Sequence, residues 1–193
     1  MKSIEIIGFK RANLGKTEAK QLRIDGNVPC VLYGGDKQVH FQTPAILFRE
    51  LVYTPEVHLV KLNIEGDLYD AVLQDIQFHP VSEMILHADF LLLQEGKIVK
   101  IDIPVKLTGT APGVIKGGKL QIKTRTLKVK GLPQDLPDMI PVDVSKLDLG
   151  KSVKVGQVDV QNLEVLTNPL VTIATVEIPR ALKGNKADGT SEE

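Results

Sequence analysis

The chain has 193 residues, of which 42% are hydrophobic and 25% charged, and its 24 basic side chains balance 24 acidic ones. This composition excludes a wholly disordered chain, a collagen-like repeat and, because Cys30 is the only cysteine, a disulfide-stabilised scaffold. No apolar run reaches the roughly 18 residues of a membrane helix, and the first residues return to charge too soon for a signal peptide, so we expect a cytoplasmic protein without membrane contact.

The first half of the chain predicts strands interrupted by two helices. The predicted strands cover residues 2–9, 30–35, 39–43, 57–65, 67–79 and 84–93. The first predicted helix covers residues 16–25. The second begins after Thr43, a good N-cap residue, places Pro44 at its first position and ends near Tyr53. Six strands and two helices of this length predict a small β-barrel or a strongly curved sheet.

The second half of the chain predicts strands without a long helix. Gly96 marks the predicted boundary, since it lies in a charged turn between strand-like segments. The strand-like runs that follow cover residues 98–109, 118–133, 139–145 and 168–179. The predicted fold is therefore mainly β: an N-terminal β-barrel with two or more helices at residues 1–95, then a second antiparallel all-β domain at 96–180. Residues 181–193 are predicted to form a flexible tail.

The charges are unevenly distributed along the neutral chain. Residues 97–130 contain nine Lys or Arg and one Asp, a net charge of +8. A stretch of this kind can bind a polyanion locally, or it can simply keep strands soluble. The sequence leaves both interpretations open.

Two patterns that suggest an enzyme do not complete a site. The glycine-rich segment Gly113–Lys119 is followed by Leu120, where a phosphate-binding loop needs a hydroxyl, and by a strand instead of a helix. His87 and Asp89 lie on one face of a strand, with His79 near the end of the preceding strand. They lack a motif such as HExxH or a third nearby carboxylate. We therefore predict no catalytic residue, metal or cofactor, with a hydrolase or metal-dependent enzyme as the rival hypothesis.

A polar and basic set of residues points instead towards RNA. Four cations lie within thirteen residues, namely Arg11, Lys16, Lys20 and Arg23. The last three follow helical spacing and therefore share a face. Further polar groups are Tyr33, which precedes two glycines, and Gln74, Gln77, His79, His87 and Asp89 on the last strand pair. Such side chains can contact phosphates, base edges and 2′-hydroxyls of RNA. The alternative is a solvated helix face beside a polar barrel rim.

Several motifs in order resemble one family. They are R-x-x-x-G-K-T at Arg11–Thr17, K-x-L-R at Lys20–Arg23, G-x-V-P-x-V-L-Y-G-G at Gly26–Gly35, Q-D-I-Q-x-H-P at Gln74–Pro80 and H-x-D-F at His87–Phe90. Together they resemble the bacterial large-subunit ribosomal protein L-twenty-five, and the length is similar to its two-domain CTC (general stress protein) form. The resemblance implies a non-enzymatic, ribosome-associated protein whose first domain binds 5S ribosomal RNA.

The resemblance also implies roles for individual residues. Basic contacts would come from Arg11, Lys16, Lys20 and Arg23, and a hydroxyl from Thr17. The polar reading surface would comprise Tyr33, Gln77, His87 and Asp89, with Gln74 and His79 as weaker candidates. Gln21 and Phe78 stand where the family often has basic residues, which should weaken the attraction to phosphate.

The expected partners are 5S ribosomal RNA and the large ribosomal subunit, with neighbouring ribosomal proteins contacted through the second domain. Off the ribosome the chain is expected to be monomeric. The rival hypothesis is a cytoplasmic β-rich protein-interaction module that binds an acidic partner.

Overall fold

The computed structural model describes residues 2–35, 37–54, 56–94, 96–158, 160 and 162–179. The predicted flexible tail at 181–193 lies outside the described residues. The chain divides into two compact units: the first contains the described residues up to Ile101 together with Leu132–Asp138, and the second contains Asp102–Gly131 and the described residues from Met139 onward. The boundary at residues 95–96 stays a prediction. Within the described ranges, every helix is too short or too polar to cross a bilayer.

The first unit contains a closed six-stranded barrel, in the order β1-β3-β2-β6-β5-β4. Its strands are β1 (Lys2–Lys10), β2 (Asn27–Tyr33), β3 (Val39–Pro44), β4 (His58–Ile64), β5 (Asp67–Phe78) and β6 (Ile85–Leu92). Two of its pairings are parallel, β1 with β4 and β2 with β6, and the other four are antiparallel. Closure leaves none of the six strands with a free edge. The predicted barrel is confirmed.

The barrel interior is filled by side chains that alternate with outward-facing ones along each strand. Three buried phenyl rings lie at its centre: the Phe41 and Phe90 centroids are 5.7 Å apart, and those of Phe48 and Phe90 are 6.2 Å apart. Cys30 is buried in the same core. Burial raises the pKa of its thiol, and the nearby charge of Asp89 adds to this effect, so formation of a reactive thiolate is opposed.

The two predicted helices are present, but the start of the second differs from the prediction. Helix α1 covers Lys16–Ile24, and a 3-10 turn at Ala45–Phe48 continues into helix α2 at Arg49–Tyr53. The prediction that Thr43 is the N-cap of this helix is wrong. Its side chain is buried, and its hydroxyl donates a hydrogen bond to the Ile7 carbonyl at 2.6 Å. Strand β3 therefore continues through Pro44, and the hydroxyl links β3 to β1 instead of capping a helix.

The second unit contains two small sheets. Its elements are β7 (Val99–Thr108), which begins in the first unit and continues in the second from Asp102, then α3 (Pro112–Ile115), β8 (Lys119–Ile122), β9 (Thr126–Gly131), β10 (Ile140–Asp143), β11 (Ser152–Lys154), a 3-10 turn (Val155–Gln157), β12 (Glu164–Val165) and β13 (Thr172–Glu177). One sheet has the order β10-β7-β9-β12 and the other β11-β13-β8. The predicted all-antiparallel pairing fails at β7 and β10, which are parallel.

The predicted single run at 118–133 is two strands in different sheets. The break falls at Lys123 and Thr124, whose backbone N–H groups both donate to the Ile173 carbonyl. The Thr124 hydroxyl also donates to the Thr172 carbonyl at 3.0 Å. These bonds turn the chain out of the β11-β13-β8 sheet before β9 begins.

The glycine-rich segment has a packing role. Helix α3 is a single turn, and strand β8 follows it directly. A Cβ atom on Gly113 would lie 2.7 Å from the backbone carbonyl carbon of Asp148 and from the backbone nitrogen of Leu149. Glycine at this position therefore permits a close approach of two backbone segments.

Candidate RNA-binding surface

The outer face of β5 and β6 carries the predicted polar strand residues. His87 and Asp89 flank the buried Ala88, so both side chains point away from the core. Across the strand pair, His87 lies opposite Gln77, and Asp89 lies opposite Asp75. The prediction that His87 and Asp89 share a face is confirmed, and Gln77 lies on the same face.

The His87 and Asp89 side chains are joined directly. The Nδ1 atom of His87 lies 2.6 Å from Oδ1 of Asp89, and both groups are partly accessible to solvent. When the imidazole is neutral, its Nδ1–H donates to the carboxylate and its Nε2 becomes a hydrogen-bond acceptor. Asp89 thus orients the ring, and the pair presents an acceptor whose position is set by the strand.

Tyr33 belongs to the same surface. Strand β2 runs parallel beside β6, with Val31 opposite Asp89 and Tyr33 opposite Leu91. Partial burial raises the pKa of the Tyr33 phenol, and the charges of Asp89 and then Asp75 raise it further. The structure therefore brings together the predicted residues of three adjacent strands.

Asp89→Asn is expected to lower the pKa of the Tyr33 phenol towards its ordinary value, because one of the carboxylate charges that oppose phenolate formation is removed. Because the pKa of Tyr33 is raised in the folded state, its contribution to stability is complete below the ordinary pKa of tyrosine. This contribution is lost as the pH rises from the ordinary pKa through the raised one. In the variant, the free energy of unfolding should therefore fall less steeply as the pH rises. Ultraviolet absorbance titration of a Tyr53→Phe, Tyr69→Phe background isolates Tyr33, and an unchanged titration midpoint would contradict this geometry.

Helix α1 is attached to this surface by one of its cations. The Arg23 Nε–H donates a hydrogen bond to the Leu86 carbonyl at 2.8 Å, directly before His87 in β6. Ala19 and Leu22 are half-buried on the same side of the helix. Arg23 is thus a positioning residue as well as a cation, because it fixes the end of α1 beside the polar strands.

The other predicted residues of α1 face solvent. Lys16, Thr17 and Lys20 are exposed, and neither lysine forms an ion pair within the described ranges. Lys16 and Lys20 are one helical turn apart, so their ammonium groups project from the same side of the helix. These two charges are available to a polyanion.

Arg11 holds the connection before α1, and two outward-facing residues of β3, His40 and Gln42, lie near it. Its Nη2 donates to the Asn13 carbonyl at 3.3 Å, and its backbone N–H donates to the His40 carbonyl. His40 and Gln42 flank the buried Phe41 on β3, so both point outward on the strand next to β2. The alternation around Phe41 indicates that both side chains point outward. Their position beside the candidate RNA-binding surface follows from the strand order, in which β3 is next to β2.

Gln74 and His79 have different settings. Gln74 is exposed at a register shift between Leu73 and Asp75 on β5. The Nδ1 of His79 accepts hydrogen bonds from the backbone N–H groups of Val81 and Ser82, at 3.3 and 3.2 Å, and so stabilises the turn between β5 and β6. Across the described part of the chain, no group of three or more His, Cys, Asp or Glu side chains could hold a metal ion. His79 thus stabilises this turn, and its part in RNA binding stays a prediction.

The fold neutralises part of the basic stretch at 97–130. Four of its lysines form ion pairs, namely Lys116 with Asp148 at 2.9 Å, Lys123 with Glu177 at 3.2 Å, Lys128 with Asp102 at 4.0 Å and Lys130 with Glu164 at 2.8 Å. Three of these carboxylates come from later in the chain, which is why the linear charge count overstates the local field. A contact between the second domain and ribosomal RNA or a neighbouring protein stays a prediction.

Comparison with known proteins accounts for both halves of the chain. Residues 6–90 match the Ribosomal L25p family, and residues 98–180 match the C-terminal domain of ribosomal protein TL5. Proteins named "Large ribosomal subunit protein bL25" are similar over almost the whole length. The relative from Cytophaga hutchinsonii is 56% identical over 97% of each chain. The relative from Amoebophilus asiaticus is 53% identical over 97% of this chain and 96% of its own.

These matches confirm the resemblance that the ordered motifs indicated, and they confirm the prediction of a non-enzymatic protein. They also extend through the second unit, where the sequence offered no comparable motif. The chain belongs to the Ribosomal L25p family, in the long form that carries a C-terminal domain of the TL5 type.

Proposed function

We propose that this protein is a structural component of the large ribosomal subunit, ribosome-associated in the cytoplasm, and that it binds 5S ribosomal RNA through α1 and the outer face of β2, β5 and β6. The observation that carries the proposal is the junction between Arg23 and Leu86, which holds the unpaired cations of α1 beside the polar strand face. Electrostatic attraction and hydrogen-bond recognition would thus act on one continuous surface.

The two parts of the surface have different tasks. Lys16 and Lys20 are suited to phosphate, since their ammonium groups are exposed and unpaired within the described part of the chain. Gln77 can both donate and accept, and the His87 ring, when neutral, offers an acceptor while Asp89 holds its other nitrogen. Such groups can recognise base edges and 2′-hydroxyls in the wide minor groove or in an irregular loop of RNA.

Binding of the full chain to 5S ribosomal RNA across a salt series, beside an unrelated transfer RNA, tests the proposal. We expect selective binding to the 5S RNA. Lys16→Ala should reduce the slope of log affinity against log salt by about one, because one phosphate contact is lost. At a pH where the imidazole is neutral, His87→Ala should weaken 5S binding by roughly tenfold at every salt concentration, because a hydrogen-bond contact is lost without a change in charge.

The matched control is Lys123→Ala. This lysine already pairs with Glu177 at 3.2 Å, so its loss should leave the salt slope unchanged. Equal weak binding to both RNAs, unaltered by Lys16→Ala and His87→Ala, would overturn the proposal and assign the cations of α1 to a solvated surface. Partner binding that survives ribonuclease would then favour the protein-interaction module.

A further inference from the structure

The side of the barrel away from the candidate RNA-binding surface carries an exposed apolar group. Ile7, Phe9 and Leu68 are 50%, 52% and 72% exposed. Large apolar side chains are normal on a surface when they are scattered, but a cluster on one face marks an interaction site more often.

The strand register places these three side chains on one face. Ile7 lies opposite Asn63, which in turn lies opposite Leu68 on the next strand, so the three form a row across β1, β4 and β5. Phe9 follows Ile7 by two residues on β1 and therefore projects from the same face. We call the outer surface formed by Ile7, Phe9 and Leu68 and by the neighbouring row of Glu5, Lys61 and Asp70 the β1–β4 face.

The charges around this face are mainly acidic. The ammonium group of Lys10 is bound by Asp67 at 3.0 Å and lies 3.9 Å from Glu65, so its charge is neutralised locally. In the adjacent row, Lys61 lies between Glu5 and Asp70 on neighbouring strands. Carboxylates thus outnumber ammonium groups around the apolar side chains. Such a surface repels phosphates and attracts cationic side chains.

A groove of about 460 Å³ continues the same face. Lys61 and Asp70 line one side of it, and its apolar wall is formed by Leu59, Leu93, Leu132 and Pro133. The last two belong to Leu132–Asp138, the segment that returns to the first unit. The groove gives an incoming apolar side chain a concave place to insert, as buried anchors at protein interfaces require.

The ring order sets this face apart from the RNA-binding candidate. In the order β1-β3-β2-β6-β5-β4, strands β1 and β4 lie across the barrel from β6 and β2. The two surfaces share β5, but Leu68 and Asp70 lie near the start of that strand and Gln77 near its end. A molecule held on β2, β6 and the end of β5 therefore leaves the β1–β4 face uncovered.

We propose that the β1–β4 face binds a segment of another protein of the large ribosomal subunit, a segment that presents a large apolar side chain flanked by Lys or Arg. The apolar side chain would contact Ile7, Phe9 and Leu68, and the flanking cations would approach Glu5 and Asp70. This contact goes beyond the proposed 5S RNA binding and is measured separately from it.

Site-directed cross-linking tests the nature of the partner. The full chain, carrying a benzophenone amino acid at position 68, is bound to large ribosomal subunits that lack the protein and is then irradiated. We expect a product that resists ribonuclease and is destroyed by protease, with cross-linked peptides that map to one Lys- or Arg-rich segment of one ribosomal protein. A cross-link to RNA, or none above that of an unmodified chain, would overturn the proposal.

A pair of variants tests the energetic contribution. Phe9→Ser with Leu68→Ser should weaken binding to the depleted subunits by roughly tenfold or more, since two apolar side chains no longer contribute to burial. Affinity for isolated 5S RNA should not change. The matched control is Ile46→Ser, an equally apolar and exposed residue outside the β1–β4 face, which should bind subunits like the parent chain. Unchanged subunit binding by the double variant, or an equal loss on isolated 5S RNA, would contradict a protein contact at this face.

Discussion

Phe90→Ala is expected to lower the free energy of unfolding of the first unit by about 3–5 kcal/mol. The Phe90 ring is fully buried and contacts both other core rings, with centroids 5.7 Å away for Phe41 and 6.2 Å away for Phe48. Its strand, β6, lies between β2 and β5 in a closed barrel, so the surroundings cannot collapse into the cavity without distorting two pairings. The lost contacts therefore remain largely uncompensated.

Urea denaturation followed by tyrosine fluorescence would measure this loss. All three tyrosines, Tyr33, Tyr53 and Tyr69, lie in the first unit, and the chain has no tryptophan. The matched control is Phe78→Ala, which removes a ring that is already substantially exposed and should cost less than about 1 kcal/mol. If the two variants lost similar stability, Phe90 would not be at the centre of the core.

Gly113→Ala is expected to destabilise the second unit by about 2–3 kcal/mol. A methyl group at this position would lie 2.7 Å from backbone atoms of both Asp148 and Leu149, and 3.0 Å from a methyl group of Val176. Backbone atoms cannot move aside as a flexible side chain does, so α3 or the loop at Asp148 must shift. Val176 is fully buried, which places the strain at the core of this unit.

The Gly113→Ala effect should appear in far-ultraviolet circular dichroism and leave the tyrosine signal unchanged, because every aromatic residue of the chain lies between Phe9 and Phe90. Gly15→Ala is the matched control. Its backbone is extended, with φ of 178°, and nothing lies within 4 Å of the added methyl group. A loss confined to the tyrosine transition would contradict the packing role of Gly113.

Much of the barrel could be predicted because its signals are local. Alternation between buried and exposed residues identified the strands. The hairpin turn was predicted at Gly66 and Asp67, one residue later than the observed turn at Glu65 and Gly66, because Asp67 is already the first residue of β5. Both turn residues adopt positive φ, 54° and 99°, which the twist of a tight hairpin requires. The outward direction of His87 and Asp89 followed from the same two-residue period.

The features that escaped prediction depend on contacts between distant residues. Threonine is a common helix N-cap, but the Thr43 hydroxyl donates its hydrogen bond to the Ile7 carbonyl, 36 residues earlier in the chain. The parallel pairing of β7 with β10 cannot be read from either strand alone. Leu132–Asp138 belongs to the first unit although the chain around it belongs to the second. In each case tertiary contacts outweigh local preference.

The candidate site shows the same division. Helical spacing predicted that Lys16, Lys20 and Arg23 share a face. It could not predict the hydrogen bond from Arg23 to the Leu86 carbonyl, 63 residues away, which joins the helix to the strands. The charge count at 97–130 overstates the local charge for the complementary reason, because three partner carboxylates, Asp148, Glu164 and Glu177, lie outside that range.

The parallel pairing of β1 with β4 has a consequence for synthesis of the chain. β1 leaves the translating ribosome before the other barrel strands, yet its parallel partner β4 begins only at His58, and β6 must follow before the ring closes. Non-local pairings of this kind form late, because the entropy cost of closing a long loop comes before the stabilising contacts form. Until then the nascent segment presents a strand with unpaired amides and carbonyls, the kind of edge that aggregates. The protein thus passes through its most vulnerable stage while it is still attached to the machine that makes it.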